Sequence, residues 1–284
     1  MTMNSATAEA AAANPPGAEP VGDFDVSAVI DSVRQRVPLV HCITNIVVAN
    51  FTANVLLAAG AAPAMVDAPQ EAGVLASCAG ALLVNLGTVT SAQAEGMRVA
   101  VEAADAAGVP WVLDPVAIGA LPLRTDLARE LAQLRPAAIR GNASEIGALA
   151  GGSGGRGVDS TSTPDQVADV AREVARQFGT VVAMSGAVDL ITDGTRTLRV
   201  DSGSVMLTRV TGVGCALGAL IGACIAATDD RLLAAAAATS WICVAGSDAA
   251  AAASGVGSFA IGLLDAVDQL AGSDIAARAG VSAG

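Results

Sequence analysis

Residues 81–115 read ALLVNLGTVTSAQAEGMRVAVEAADAAGVPWVLDP. Ala81–Leu86 is a short, nearly all-apolar run that predicts a strand, Ser91–Ala107 a helix, and Trp111–Leu113 a second strand. A strand with one wet face alternates apolar and polar residues; these do not, so both faces of their sheet must be covered. That pattern specifies a parallel-rich sheet with helices on both sides, an α/β three-layer sandwich. The alternation continues outward in both directions. Toward the N-terminus come helix Asp25–Val37, strand Leu39–Thr44, helix Ile46–Ala59, strand Ala62–Val66 and helix Gln70–Ala79. Toward the C-terminus come helix Thr125–Leu134, strand Ala137–Arg140, short helix Ser144–Leu149, helix Pro164–Phe178 and strand Val181–Met184. Asp189–Thr192 and Thr197–Val200 read as a hairpin around Asp193-Gly194, and Val205–Thr208 as a further strand. The last third reads as three helices, Cys215–Ala227, Leu232–Ala253 and Phe259–Leu270. Gly151–Pro164, rich in Gly, Ser and Thr, reads as a flexible surface loop.

Composition narrows the function. The chain has 284 residues, 53% of them hydrophobic and only 15% charged, which suits a large buried core and excludes a disordered protein. Net charge is −12, so phosphate backbones are repelled, and aromatics are 2%, too few for base-stacking platforms. Nucleic acid is therefore excluded as a partner. Every one of the 15 basic residues is Arg, which removes P-loop and Schiff-base chemistry along with any lysine-dependent protein-kinase mechanism. The one histidine, His41, removes multi-histidine metal sites. Its place inside an apolar strand reads as a hydrogen-bonded structural role. Five cysteines with no C-x-x-C pair suit a reduced, cytoplasmic protein; Cys42, Cys78, Cys224 and Cys243 read as small buried hydrophobes. Residues 1–22 read as a disordered tail, without the basic and apolar regions of a signal peptide, and 23–284 as a single domain. Val210 to Thr228 is uncharged and imitates a membrane span, but its glycines and missing basic flanks suit a helix buried in an α/β core, so no membrane partner is expected.

Three features can carry chemistry. Thr211-Gly212-Val213-Gly214-Cys215 stands where an extended segment meets a long helix. Two glycines let the backbone turn and aim several N–H groups at one point, where the helix dipole adds positive potential. This is a way to hold phosphate, or a developing phosphoryl charge, without lysine. The same pattern also fits a plain strand–helix connection with a buried Cys215. Asp114 ends a strand, and Glu145 follows another in Arg140-Gly141-Asn142-Ala143-Ser144-Glu145. In an open α/β sheet both face the crevice beyond the strands' carboxyl ends, where two hard oxygen donors suit Mg²⁺. Each also has a bland reading, Asp114 as a turn cap and Glu145 as part of a capping box.

These motifs, taken in order, resemble the hydroxyethylthiazole kinase family. The resemblance rests on Pro38-Leu39-Val40-His41-Cys42-Ile43-Thr44-Asn45, then Asn50-Phe51-Thr52-Ala53-Asn54, Gly60 to Met65 and Asn85-Leu86-Gly87-Thr88. It continues through Leu113-Asp114-Pro115-Val116, Ile139-Arg140-Gly141-Asn142, the stretch around Cys215 and Gly257-Ser258-Phe259, covering about residues 25 to 272. It implies a ribokinase-like fold and transfer of the γ-phosphoryl of ATP, with Mg²⁺, to the hydroxyl of 4-methyl-5-(2-hydroxyethyl)thiazole, a thiamine precursor. By the same resemblance Arg140 and Ser185 contact ATP phosphates, and Gly212 and Gly214 form the anion hole, with Gly212 beside the substrate hydroxyl. Met65 and Asn45 contact the thiazole, Asp114 and Glu145 organise the metal, and Cys215 stands where most relatives of the wider fold carry an aspartate base. At the start of a helix, Cys215 is expected to have a lowered thiol pKa. Family members are homotrimers with pockets between subunits. Two residues depart from the pattern: Ile46 stands in place of a second Asn, and Val213 in place of a smaller residue. The rival readings are another vitamin kinase of the same fold, acting on hydroxymethylpyrimidine or pyridoxal, and a non-catalytic nucleotide or thiazole sensor.

Overall fold

The computed structural model describes residues 24–151 and 164–284. The tail 1–22, with Asp23, and most of the loop 151–164 lie outside the described residues. Among those described, nine strands form one sheet in the order β2-β1-β3-β4-β5-β6-β7-β8-β9. They are β1 Leu39–Ile43, β2 Ala62–Ala64, β3 Ala81–Asn85, β4 Trp111–Asp114, β5 Ala138–Asn142, β6 Val181–Ser185, β7 Asp189–Thr192, β8 Thr197–Val200 and β9 Val281–Ala283. The first six pair in parallel, and β7, β8 and β9 add an antiparallel edge.

Two hydrophobic cores sit on the two faces, and the strand residues divide between them by alternation. Leu82, Val84, Trp111, Leu113, Val182 and Met184 face one core; Leu83, Val112, Val181 and Ala183 face the other. The first core is covered by α3 Pro69–Ala76, α4 Ser91–Ala107, α5 Pro122–Ala132, α6 Ala143–Ala150 and α7 Pro164–Phe178. The second is covered by α1 Val26–Arg36, α2 Ala49–Ala58, α8 Val213–Ile225, α9 Arg231–Ala252, α10 Val256–Gln269 and α11 Gly272–Arg278. This is the three-layer sandwich expected from strands with no polar face.

The helix α4 illustrates how local signals set an element. Thr90 and Gln93 form a reciprocal capping box at its start, and Gly108 in the left-handed region ends it. The apolar helix that imitates a span, α8, is buried along nearly its whole length against β3 and β4. Another helix, α9, is long and apolar enough to cross a bilayer, yet 83% of its apolar window is buried inside the protein.

Two expectations fail here. Val205 to Thr208 is not a strand but part of a 3-10 helix, Val205–Arg209, capped by Ser204, whose Oγ accepts the Met206 N–H. The preceding strand, β8, is already paired on both sides, with β7 and β9. The C-terminus also carries a fourth helix, α11, and the strand β9, which pairs on β8 despite its small and polar residues.

Candidate active site

The parallel strands deliver their last residues to one edge, the carboxyl edge where α/β proteins bind ligands. Asn85 and Asp114 are register partners at the ends of β3 and β4, as Asn142 and Ser185 are at the ends of β5 and β6. Asn45 follows β1 on the same edge. Over them stands the start of α8.

Gly212 is the residue before α8, and its φ of +95° lies in the left-handed region, where glycine carries no steric penalty. No side chain caps the helix start, so the N–H groups of Val213, Gly214 and Cys215 lack a helical or side-chain partner. The second glycine has a different reason from the one expected. Gly214 is ordinary helix, but a Cβ there would sit 2.7 Å from Nη2 and 2.9 Å from Cζ of Arg140. Gly214 leaves room for a guanidinium, while Gly212 makes the turn.

Arg140 reaches under this helix start from β5. Its Nη2 donates to Ser185 Oγ at 2.9 Å, and its Nη1 lies 4.0 Å from Asp114 Oδ2. Its Nε is buried with no partner. A cavity of about 930 Å³ opens in front of it, lined by Asn142, Ser185, Gly212 and Gly214 together with the apolar Leu207, Val210 and Ile242. Unspent N–H donors and apolar side chains in one cavity suit a phosphorylated ligand with an apolar body.

Behind the helix start runs a buried polar chain. Asn45 Nδ2 donates to Asn85 Oδ1 at 2.9 Å, and Asn85 Nδ2 donates to Asp114 Oδ2 at 2.8 Å. Asn45 Nδ2 also approaches Cys215 Sγ at 3.6 Å. Asp114 is fully buried, and burial pushes its pKa up to about 7, with the Arg140 charge opposing the rise and Glu145 adding to it. Its Oδ1 has no hydrogen-bond partner.

Glu145 forms the capping box foreseen as its bland reading: Asn142 N–H donates to its Oε2, and Glu145 N–H to Asn142 Oδ1, each at 2.9 Å. Its other oxygen accepts the Ala117 N–H at 2.9 Å, from a residue held at φ +55°. A non-glycine residue in that region costs about 1–2 kcal/mol, so Glu145 fastens the loop that follows Asp114 in a conformation it would not adopt alone.

The Cys215 thiol departs from expectation. Burial, followed by the negative charge of Asp114, raises its pKa above the ordinary thiol value; Asn85, Arg140 and Asn45 act in the other direction and are outweighed. Cys78, expected to be buried, is exposed at the end of α3. His41 is the structural residue it was read as, with Nε2 2.6 Å from Val66 O. Met65 and Asn45 do not line the large cavity; Met65 follows the edge strand β2 and is 38% exposed, and Ile46 beside Asn45 is 83% exposed. Sequence reasoning gave no role to Asn85 or Asp189. Asn85 was visible only as part of a motif, and its value lies in a cross-strand register that sequence alone does not show.

A family model described as the hydroxyethylthiazole kinase family matches residues 30–273. The chain belongs to that family. A hydroxyethylthiazole kinase of Clavibacter sepedonicus is 58% identical over 239 residues, which is 84% of this chain and 87% of that protein. One from Rhizobium etli strain CIAT 652 is 51% identical over 256 residues, covering 89% and 99% of the two chains. The solved hydroxyethylthiazole kinase protein of Pyrococcus horikoshii OT3 matches with a TM-score of 0.86 at 38% identity, covering 91% of this chain and 98% of that one. The pyridoxal kinase of Bacillus subtilis, solved as an ADP complex, shares the fold at 18% identity, with a TM-score of 0.55 over 73% of this chain and 90% of its own. Membership in the hydroxyethylthiazole kinase family makes the chain a kinase of ribokinase-like fold, with ATP as co-substrate.

Proposed function

We propose that the chain transfers the γ-phosphoryl group of ATP to the hydroxyl of 4-methyl-5-(2-hydroxyethyl)thiazole, forming the thiazole phosphate used to build thiamine. The observation that carries this reading is the uncapped start of α8 standing over the Arg140–Ser185 pair at the mouth of the cavity. Arg140 and Ser185 hold the ATP phosphates. The N–H groups following Gly212 point at the oxygens of the transferring group, where the helix dipole favours growing negative charge. Fixed donors of this kind need no reorganisation during transfer, and phosphoryl transfer asks for little beyond positioning and charge. The substrate hydroxyl lies beside Gly212, with Met65 and Asn45 contacting the thiazole.

Asp114 and Glu145 are the residues that would hold Mg²⁺. Asp114 offers a buried oxygen with no partner, and burial together with the Glu145 charge raises its cost of ionisation, a penalty that a divalent cation removes. Mg²⁺ held there would neutralise charge on the phosphates. Cys215 enters as a neutral thiol because of its raised pKa. It orients the hydroxyl and relays its proton late, once the new P–O bond is largely formed: the sulfur accepts the hydroxyl proton as its own S–H proton passes to an oxygen of the transferred phosphoryl group, as a loose transition state allows.

Pockets shared between subunits of a homotrimer fit the strongly exposed Ile46 and Val47, which follow the polar chain at Asn45. The five free cysteines suit a cytoplasmic protein. A coupled assay of ADP release tests the function with ATP, Mg²⁺ and three alcohols: hydroxyethylthiazole, hydroxymethylpyrimidine and pyridoxal. Release that depends on the thiazole is expected. A clear preference for either of the others, or thiazole binding without ADP release, overturns the assignment.

A further inference from the structure

The turn from β6 to β7 reads Ser185-Gly186-Ala187-Val188-Asp189. Asp189, the first residue of β7, reaches back across it, and its Oδ1 accepts the Gly186 N–H at 2.9 Å. Its Oδ2 accepts the S–H of Cys243 at 3.2 Å, from the middle of α9. The residue next to Gly186 is Ser185, whose Oγ receives Arg140 Nη2. Asp189 also feels the Arg140 charge. Arg140, Ser185, Gly186, Asp189 and Cys243 all line the same cavity wall.

We propose that Asp189 is a positioning residue for the phosphate contacts, closing the β6–β7 turn so that Ser185 and Arg140 keep their place, with Cys243 tying the carboxylate to α9. This rests on the phosphate-binding roles assigned above to Arg140 and Ser185. A largely buried carboxylate is costly unless its oxygens are engaged, and here a backbone N–H and a thiol engage them while Arg140 supplies the balancing charge. Removing it frees the Gly186 N–H, and the turn loses the contact that fixes the residue after Ser185. The Ser185 hydroxyl then wanders, and the guanidinium fork loses its docking point. Asp189 touches neither reacting atom; its effect passes through Ser185 and Arg140.

The test compares Asp189→Ala, Asp189→Asn and Cys243→Ala with Arg140→Ala and Ser185→Ala, measuring KM for ATP, KM for the thiazole and Tm. Asp189→Ala is expected to raise KM for ATP by about ten- to a hundredfold, the loss typical of a hydrogen bond to a charged group. KM for the thiazole should stay near the parent value. Asp189→Asn keeps an oxygen for the Gly186 N–H and should recover much of the loss. Cys243→Ala leaves one oxygen without its donor and should raise KM for ATP by about two- to fivefold, a weaker bond being lost. If Asp189→Ala does not accumulate as folded protein, the Asn and Cys243 variants carry the test alone. A parent-like KM for ATP in the Asp189 and Cys243 variants, beside raised values in Arg140→Ala and Ser185→Ala, overturns the positioning role alone. Parent-like values in all five overturn the phosphate contacts and the positioning role with them. A rise in both KM values together with a fall in Tm marks general loosening and overturns it as well.

Discussion

Replacing Gly214 with alanine separates the chemistry of the site from its folding. Gly214 lies in the first turn of α8, where alanine is the better helix former by about 0.5–1 kcal/mol. The new methyl would stand 2.7 Å from Arg140 Nη2 and 2.9 Å from Cζ, and closer still to Nη1. Ordinary separation for such atoms is about 3.5 Å, so the guanidinium must withdraw by roughly 1 Å. It is the far end of a flexible side chain, so it can move without disturbing the fold. Moving it breaks the 2.9 Å bond to Ser185 and takes the charge out of line with the start of α8. Misplacement of about 1 Å, or loss of one fixed donor, costs a factor of about 10² in rate, near 2.7 kcal/mol. Gly214→Ala should thus lose about a hundredfold in kcat/KM for ATP while its Tm moves by no more than a few degrees, the helix gain being set against the lost Ser185 bond. Gly212→Ala is the contrasting case. Its φ of +95° penalises any side chain, and its Cβ would meet Val48 and Phe51 at 3.0 to 3.2 Å, so its Tm should fall. Coupled ADP-release kinetics and thermal unfolding on both proteins give the answer. A Gly214→Ala enzyme with parent-like kcat/KM for ATP would refute the placement of Arg140 at the phosphates.

Three further outcomes are expected. Glu145→Gln should stay folded, losing one acceptor for Asn142 or Ala117 at a cost of about 1 kcal/mol, yet lose most activity with Mg²⁺, because the charge next to Asp114 is gone; parent-like turnover would show that Glu145 only fastens its loop. Sedimentation should find a homotrimer with activity tied to assembly, and a fully active monomer would exclude shared pockets. Cys215→Ala should lose about 10²-fold or less, Cys215→Asp should remain active, and the parent rate should not climb between pH 7 and 8 with thiolate formation, since the folded thiol titrates above its ordinary value; an inactive but folded Asp variant, an Ala variant with unchanged kcat, or a rate rising in proportion to thiolate would each defeat this account.

How much of this was legible in the sequence depends on the range of the interactions involved. The strands β3, β4 and β6 were readable because a strand covered on both faces must be apolar throughout, a local property. The 3-10 helix at Val205–Arg209 was not, because four apolar or β-branched residues look the same whether a neighbouring strand is free to pair or not. The strand β9 was invisible for the converse reason: Val281, Ser282 and Ala283 have little strand character, and only the exposed edge of β8 makes them one. In the site, the glycines around Val213 could be found by their local pattern, but not their separate tasks. That Gly214 yields space to Arg140, which is 74 positions earlier in sequence, is a tertiary fact. The Cys215 thiol was misjudged because helix-start position is local and burial beside Asp114 is not.

The absence of lysine gives the site its character. A lysine is a mobile point charge that can follow a phosphate, whereas Arg140 presents a planar fork that must be held in one orientation. The positive end of the site is then built from fixed parts: N–H groups at the start of α8, a guanidinium docked on Ser185, and a turn closed by Asp189. Fixed donors are effective only if they do not move, and the buried chain from Asn45 through Asn85 to Asp114 ties three parallel strands together directly beneath them. Each member of that chain satisfies the next, so removing one leaves a buried polar group unpaired in its neighbour. Rigidity here replaces the reach of a lysine, and the many buried polar groups of this edge are the physical means by which an arginine-only chain can bind and transfer a phosphoryl group.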